Sequence, residues 1–419
     1  MTCSSEFQLP ADAPEHVRRL VEYNRRRCEQ LLDAVPRRPV RSVGLVGAGL
    51  MGTAIAAGSL SAGFDVVLFD VDRDAAERAA RWIDDGRLTV AERLDGLAGC
   101  DLVVESIAER LDAKQQLYAE LEPLLSDEAT LATNTSTIPI AQLAAKLART
   151  QQFCAAHFFH PVGRRPLVEV VRGPQTSDST VATAVGFAQS IGKMALVVGD
   201  GPGFVVNRLL MPYLTQAAEL LLDGATIDQI ESAATTFGMA KGPLHLIDEI
   251  GLDTAVSGGR VLWQAFPQRV VISPLMIAMY KAGRFGVKSK AGFFNYSDTT
   301  SDDDLPVDPI ALEKIDQWSR ASQNLTDEDI RDRLLLPMVV EAAWLLEEKK
   351  VDDPRDIDLG TIFGLGFPAA RGGLLRWADT MGSERLVGRF TERYPDAELP
   401  PLLCRMADDD RPFHAPTGS

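Results

Sequence analysis

His157 and Glu169 have the types and setting of an acid–base pair. His157 lies in FCAAHFF, an apolar run that ends at His160–Pro161, and Glu169 lies inside PLVEVV, the next apolar run. A carboxylate within such a run is costly to bury unless a hydrogen-bonding or cationic partner offsets its desolvation. An imidazole partner would gain a fixed tautomer and a stabilised imidazolium, and its second nitrogen could then take the proton of a hydroxyl. The other reading is a surface-facing Glu169 on a half-exposed strand. Of the remaining histidines, His16 falls in an arginine-rich helix, His245 in an irregular turn and His414 in a polar tail.

A second constellation is Gly47, Gly49, Leu50, Met51 and Gly52 of GAGLMG, directly after the strand-like SVGLV and before a helical pattern. Glycines at this spacing give a tight turn, a close backbone approach to a pyrophosphate and close helix packing, with the helix N-terminus offering N–H groups to phosphate. The next apolar run, DVVLFD, ends in Asp70, eighteen residues past Gly52. About twenty is the spacing of the acid that binds the adenosine ribose. Such a carboxylate accepts from ribose hydroxyls and repels a 2′-phosphate, so NAD is expected rather than NADP. The rival reading of Asp70 is a capping turn before the following helix.

The elements needed to hold these residues are legible. From Arg41 to about Asp200, SVGLVGAG, DVVLFD, DLVVES, TLATN, FCAAHFF, PLVEVV and MALVV alternate with helical segments after Leu50, Asp74, Gln115, Pro139 and Thr180. This predicts a doubly wound, mostly parallel α/β sheet. Ligands bind at the carboxyl ends of such strands, where His157 would lie. Ahead of the sheet, residues 1–40 hold an amphipathic helix whose arginines are read as a solvated face.

Beyond DGPGF the pattern turns helical. RLLMPYLTQAAELLLDG from Arg208 is echoed by RLLLPMVVEAAWLLEEK from Arg333, and both lead to Asp-x-x-Gly, Asp248–Gly251 and Asp379–Gly382. This predicts two related all-α domains. The expected division is a nucleotide-binding domain over 41–200, a helical domain over 201–297, an acidic linker over 298–324, a duplicated helical domain over 325–406 and a flexible tail over 407–419.

The 419 residues carry a formal net charge of −16, which argues against a nucleic acid or anionic membrane partner. The five scattered cysteines form no CxxC pair and no metal-ligand spacing, so no metal site is expected and a reducing compartment fits. No leader pattern or apolar stretch of about 18 residues occurs, which predicts a cytoplasmic protein without membrane insertion.

The ordered set GAGLMG, DLVVES, NTSTI, HFFHPVGRRPLVEVV, DGPGFVVNR and GVKSKAGFF resembles the 3-hydroxyacyl-CoA dehydrogenase family from Arg41 onward. GLGFPAARGGLLRWAD is similar to the dehydrogenase part of the large fused fatty-acid β-oxidation enzymes; with about forty residues ahead of the first strand, no hydratase domain is expected. The resemblance implies an NAD-dependent oxidoreductase that interconverts (3S)-3-hydroxyacyl-CoA and 3-oxoacyl-CoA. It makes His157 and Glu169 the catalytic dyad, with Ser136 and Asn207 binding the substrate oxygens. It also makes Glu109, Lys114, Ser136, His160 and Lys288 cofactor contacts, beside the glycine loop and Asp70.

Two departures stand out. The family carries a long helical excursion after the ribose-binding acid that helps hold CoA, and here that interval is short; Arg164 and Arg165 are candidate substitutes as phosphate ligands. His160 stands where the family has Asn, which adds a titratable group beside the base. The short interval keeps open a β-hydroxyacid dehydrogenase acting on a small non-CoA acid, whose usual base is a lysine. A catalytically silent NAD-binding protein is the remaining alternative. A chain that pairs its own helical copies is expected to be a monomer or a homodimer.

Overall fold

The computed structural model describes residues 7, 9, 10, 12–297, 305–320 and 324–415. The chain divides between Phe204 and Val205 into two compact units.

The first unit opens with α1 (Glu15–Ala34), which buries Val17, Leu20 and Cys28. It lies along the last strand of the sheet, where Asn24 Nδ2 donates to the Ala195 carbonyl at 2.9 Å. Arg19, Arg25 and Arg26 pair with Glu15, Glu22 and Glu29 of the same helix, so the run is a solvated, largely self-neutralised face.

There follow β1 (Ser42–Val46), α2 (Leu50–Ser61), β2 (Asp65–Phe69), α3 (Arg73–Ile83), β3 (Leu88–Val90), β4 (Leu102–Glu105), α4 (Leu111–Leu121) and β5 (Thr130–Thr133). The unit closes with α5 (Ile140–Leu143), β6 (Phe153–Phe158), β7 (Leu167–Arg172), α6 (Asp178–Ser190) and β8 (Met194–Gly199). The strands form one sheet in the order β3-β2-β1-β4-β5-β6-β7-β8. Neighbours are parallel except β6 and β7. This is the predicted doubly wound α/β fold, and strand order reverses direction at β1, between β2 and β4. The central strands are buried on both faces, hence their continuous Val, Leu and Ala. The edge strand β3, three residues long, is too short to carry a periodic signal.

Among the described residues the second unit is all-α apart from isolated bridges near Gly286–Val307. Its first copy contains α7 (Val206–Leu222), α8 (Ile227–Phe237), α9 (Pro243–Ile250), α10 (Leu252–Ala265) and α11 (Pro274–Lys281). After α12 (Pro309–Trp318), the second copy contains α13 (Asp327–Glu347), α14 (Pro354–Leu359), α15 (Leu374–Met381), α16 (Ser383–Arg393) and α17 (Pro401–Asp408).

Long helices α7 and α13 pack together and carry Pro212 and Pro337 at matching places. Their polar contacts cross reciprocally. Arg208 donates to Glu341 at 2.6 Å and Glu348 at 2.7 Å, while Arg333 donates to Asp223 at 2.6 Å and Gln216 at 3.4 Å.

Two expectations are corrected here. The stretch expected to be a linker holds α12, started by Asp308, whose carboxylate accepts from Ile310 and Ala311 N–H; residues 298–304 and 321–323 of that stretch lie outside the described residues. The stretch expected to be a flexible tail is helical to Asp408 and then folds back. Asp379 accepts Phe413 N–H at 2.6 Å and His414 N–H at 3.1 Å, much as Asp248 in the first copy accepts Phe293 and Phe294 N–H at 3.0 and 2.9 Å. Residues 416–419 lie outside the described residues.

The two histidines set aside in this unit are likewise structural anchors. His245 lies on α9, not in an irregular turn; its Nδ1 is 2.6 Å from Glu231, and its ring stacks on Phe294 at 3.7 Å. His414 sits between two carboxylates, with Nδ1 2.7 Å from Asp379 and Nε2 2.9 Å from Asp358. Glu231 and Asp358 also correspond, each accepting a backbone N–H at 2.8 Å, from Leu244 and Leu375.

Candidate active site

The carboxyl ends of β1, β4, β5 and β6 face the same edge of the sheet and deliver most of the predicted residues. After β1 the chain turns at Gly47, where φ is +107° and a Cβ would lie 2.6 Å from the Ser106 carbonyl oxygen. At Gly52 a Cβ would lie 1.9 Å from the Gly47 carbonyl oxygen. Glycine is therefore required at both for the fold itself. Gly49 differs: nothing lies within 4 Å of its Cβ direction. The open space at Gly49 is where a phosphate would approach, at the start of α2, which no side chain caps. Leu50 and Met51 form the first turn of α2, and Leu50 is exposed.

Asp70, one residue past β2, accepts Ala48 N–H at 2.6 Å through Oδ2 and Asp72 N–H at 2.8 Å through Oδ1. It thus ties the glycine turn to the end of β2. Asp72, not Asp70, caps α3.

His157 and Glu169 are register partners on antiparallel β6 and β7. Their side chains meet with Nδ1 to Oε2 at 2.7 Å, at 5% and 0% exposure. Antiparallel pairing places both side chains on one face at close range, so the two consecutive runs bring their polar residues into contact. Phe159 and Phe204 flank the imidazole at ring separations of 4.5 and 5.8 Å.

The loops after β4, β5 and β6 are laced together by Asn134. Its Oδ1 accepts Phe158 N–H at 2.8 Å and its Nδ2 donates to Ser106 Oγ at 3.2 Å. Ser136, half-buried, donates to Glu109 Oε1 through its N–H at 2.9 Å and through its hydroxyl at 3.2 Å. Burial alone would raise the Glu109 carboxyl, but the Lys114 charge and bonds from Thr135, Ser136 and Thr137 outweigh it and hold the group below its ordinary range. Lys114 is 1% exposed and lies beneath this loop. His160 and Arg164 are exposed and Arg165 is half-buried, on the turn after β6.

Asn207 and Lys288 belong to the second unit. Asn207 is in the first turn of α7, and Lys288 is exposed and ion-paired with Asp253.

The sequence carries two matches that decide its kinship. Residues 42–201 match the model of the 3-hydroxyacyl-CoA dehydrogenase NAD binding domain, and residues 203–296 match the model of the C-terminal domain of the same enzymes. The chain belongs to the 3-hydroxyacyl-CoA dehydrogenase family. As a member it is an NAD-dependent oxidoreductase, and the glycine turn and Asp70 fit NAD. Among solved structures it is similar to FadB2 of M. tuberculosis, at 34% identity over 62% of this chain and 100% of that one, with a TM-score of 0.60. It is also similar to the dehydrogenase part of multifunctional enzyme 1 from C. elegans, at 25% identity over 96% and 94% of the two chains, with a TM-score of 0.63. A 3-hydroxybutyryl-CoA dehydrogenase from Escherichia coli shares the fold at 24% identity over 89% and 99%, with a TM-score of 0.76. No helix among the described residues is long and apolar enough to cross a membrane.

Proposed function

We propose that this dehydrogenase reversibly oxidises (3S)-3-hydroxyacyl-CoA to 3-oxoacyl-CoA, with His157 as general base and Glu169 as its orienting partner. The observation that carries the reading is the buried 2.7 Å contact between His157 Nδ1 and Glu169 Oε2. A fully buried carboxylate on Nδ1 favours the tautomer protonated there, so Nε2 is left with its lone pair for the substrate hydroxyl. As the proton arrives, the adjacent negative charge stabilises the imidazolium without moving. NAD, when bound, accepts the hydride from C3. Ser136, held by Glu109, and Asn207 are proposed to bind the substrate oxygens and favour the developing carbonyl.

A specific observation supports a second reading, a smaller non-CoA 3-hydroxy acid. Between β2 and β4 the chain contains only α3, β3 and a short 3₁₀ turn, which leaves no long helical excursion for a CoA tail. NADH formation or consumption with acetoacetyl-CoA, 3-hydroxyacyl-CoAs of several lengths and free 3-hydroxybutyrate separates the two. The first reading expects turnover of the CoA esters and a fall of about 10²- to 10⁴-fold in kcat for His157→Gln with NADH still bound. Turnover of the free acid alone supports the second. Absence of turnover with all of them, despite tight NADH binding, returns the weight to a silent NAD-binding protein.

A further inference from the structure

Beneath the Ser136 loop lie Glu105 and Tyr118, buried polar groups to which the reading above gives no task. Glu105, the last residue of β4, is fully buried. Its Oε2 accepts from Tyr118 at 2.5 Å and Thr133 at 2.8 Å; its Oε1 accepts from Ile107 N–H at 2.7 Å and Lys114 Nζ at 2.6 Å. Lys114 Nζ in turn lies 3.5 Å from Glu109 Oε2 and 3.5 Å from the Ile107 carbonyl. The other Glu109 oxygen, Oε1, gathers five donors from one short loop. These are Thr135 Oγ1 at 2.6 Å, Ser136 N–H at 2.9 Å and Oγ at 3.2 Å, and Thr137 N–H at 3.1 Å and Oγ1 at 3.2 Å.

We propose that Glu105 is a positioning residue for the cofactor cleft: through Lys114 it fixes Glu109, and Glu109 fixes the backbone and hydroxyl of Ser136. The deepening rests on the reading of Ser136 and Glu109 as cleft residues. Lys114, at 1% exposure, bridges the two carboxylates inside the protein. Its single positive charge is shared by two carboxylates, so one negative charge remains, and it sits on Glu109, whose side chain is 31% exposed. The ammonium is hydrogen-bonded to Glu105 at 2.6 Å and stands 3.5 Å from Glu109, so the inner acid holds it back from the loop carboxylate. Remove the inner acid and Lys114 is drawn to Glu109 alone, which neutralises that charge and pulls the carboxylate off the five loop donors. Tyr118 shares Glu105 but not the bridge; burial and the Glu105 charge push its phenol well up, so it stays a donor.

The test uses the full-length protein with Glu105→Gln, Glu105→Asp and Tyr118→Phe. The first readout is the NADH dissociation constant by fluorescence titration, which does not depend on the identity of the substrate. The second is the division of any loss between KM and kcat with a turned-over substrate. Glu105→Gln is expected to weaken NADH binding about tenfold and to raise KM for NAD more than it lowers kcat. Glu105→Asp, which keeps the charge but shortens its reach, is expected to fall between it and wild type. Tyr118→Phe is expected to lose comparable thermal stability while NADH binding stays within about twofold. If Glu105→Gln does not fold, the Glu105→Asp and Tyr118→Phe comparison decides alone. NADH binding that is unchanged in the Glu105 variants, or that falls equally in Tyr118→Phe in step with stability, overturns the proposal. Failure of acyl-CoA turnover with the expected NADH pattern overturns the substrate reading instead.

Discussion

His414 offers a quantitative test of the closure of the second helical copy. Burial alone would lower the imidazole, but its contacts with Asp358 and Asp379 outweigh that and raise it from 6.5 to about 9. The folded state therefore binds the proton more tightly than the unfolded chain. The sign follows: the stabilisation is fully present below pH 6.5 and is lost as pH rises through about 9. The rise is equivalent to about 3 kcal/mol. Burial also raises Asp358, against the lowering pull of His414, so that carboxylate costs stability at every pH where it is ionised, on both sides of that window. The perturbation is His414→Gln, which keeps a polar side chain but cannot be charged.

Urea unfolding followed by tryptophan fluorescence suits the measurement, because Trp263, Trp318, Trp344 and Trp377 lie beyond Phe204 and only Trp82 before it. The gap between wild type and variant is expected near 3 kcal/mol at pH 6 and to shrink below about 1 kcal/mol at pH 10. A gap of the same size at both pH values would refute the argument that a shared imidazolium, and not merely packing, holds the chain end.

The glycine turn separates binding from folding. Gly49→Ala is expected to leave thermal stability within a degree or two and to weaken NADH binding measurably, whereas Gly52→Ala, with its 1.9 Å clash, should lower stability by several kcal/mol; equal thermal shifts would contradict the open space at Gly49. Replacing Asp70 by Ala is expected to narrow the preference for NAD over NADP and to loosen the Ala48 turn it holds, read as the ratio of kcat/KM for the two cofactors; an unchanged ratio would remove the ribose assignment. His160→Asn is expected to change the pH–rate profile, and superimposable profiles for the two proteins would show that His160 does not couple to the base.

Much of the first unit could be read from sequence because parallel strands buried on both faces are written as unbroken apolar runs, and a carboxylate inside one, such as Glu169, stands out. Glu105 carries the same signal at the end of DLVVES, but its partners Lys114 and Tyr118 come from α4, whose sequence gives no sign that they turn toward it. β3 was invisible because three edge residues have no periodicity. In the second unit the repeat was legible in the long helices. The tail was not, because its order comes from two hydrogen bonds to Asp379 and one imidazole, none of which leaves an apolar trace. His245 was misplaced for a related reason: Pro243 and Gly242 look like a turn, yet Pro at the first position starts α9.

The reciprocal contacts between α7 and α13 have a consequence for dilution and for heredity. Two separate chains meeting through a two-fold axis must present the same residue twice, so each substitution is felt at both ends of the interface, and the pair comes apart when scarce. With both halves on one chain, the partner is always present at an effective concentration set by the connection, on the order of millimolar for flexible tethers. Each half is then free to drift alone. Arg208 now faces two glutamates while Arg333, its counterpart, faces an aspartate and a glutamine, a divergence that a symmetric pair of identical chains could never record.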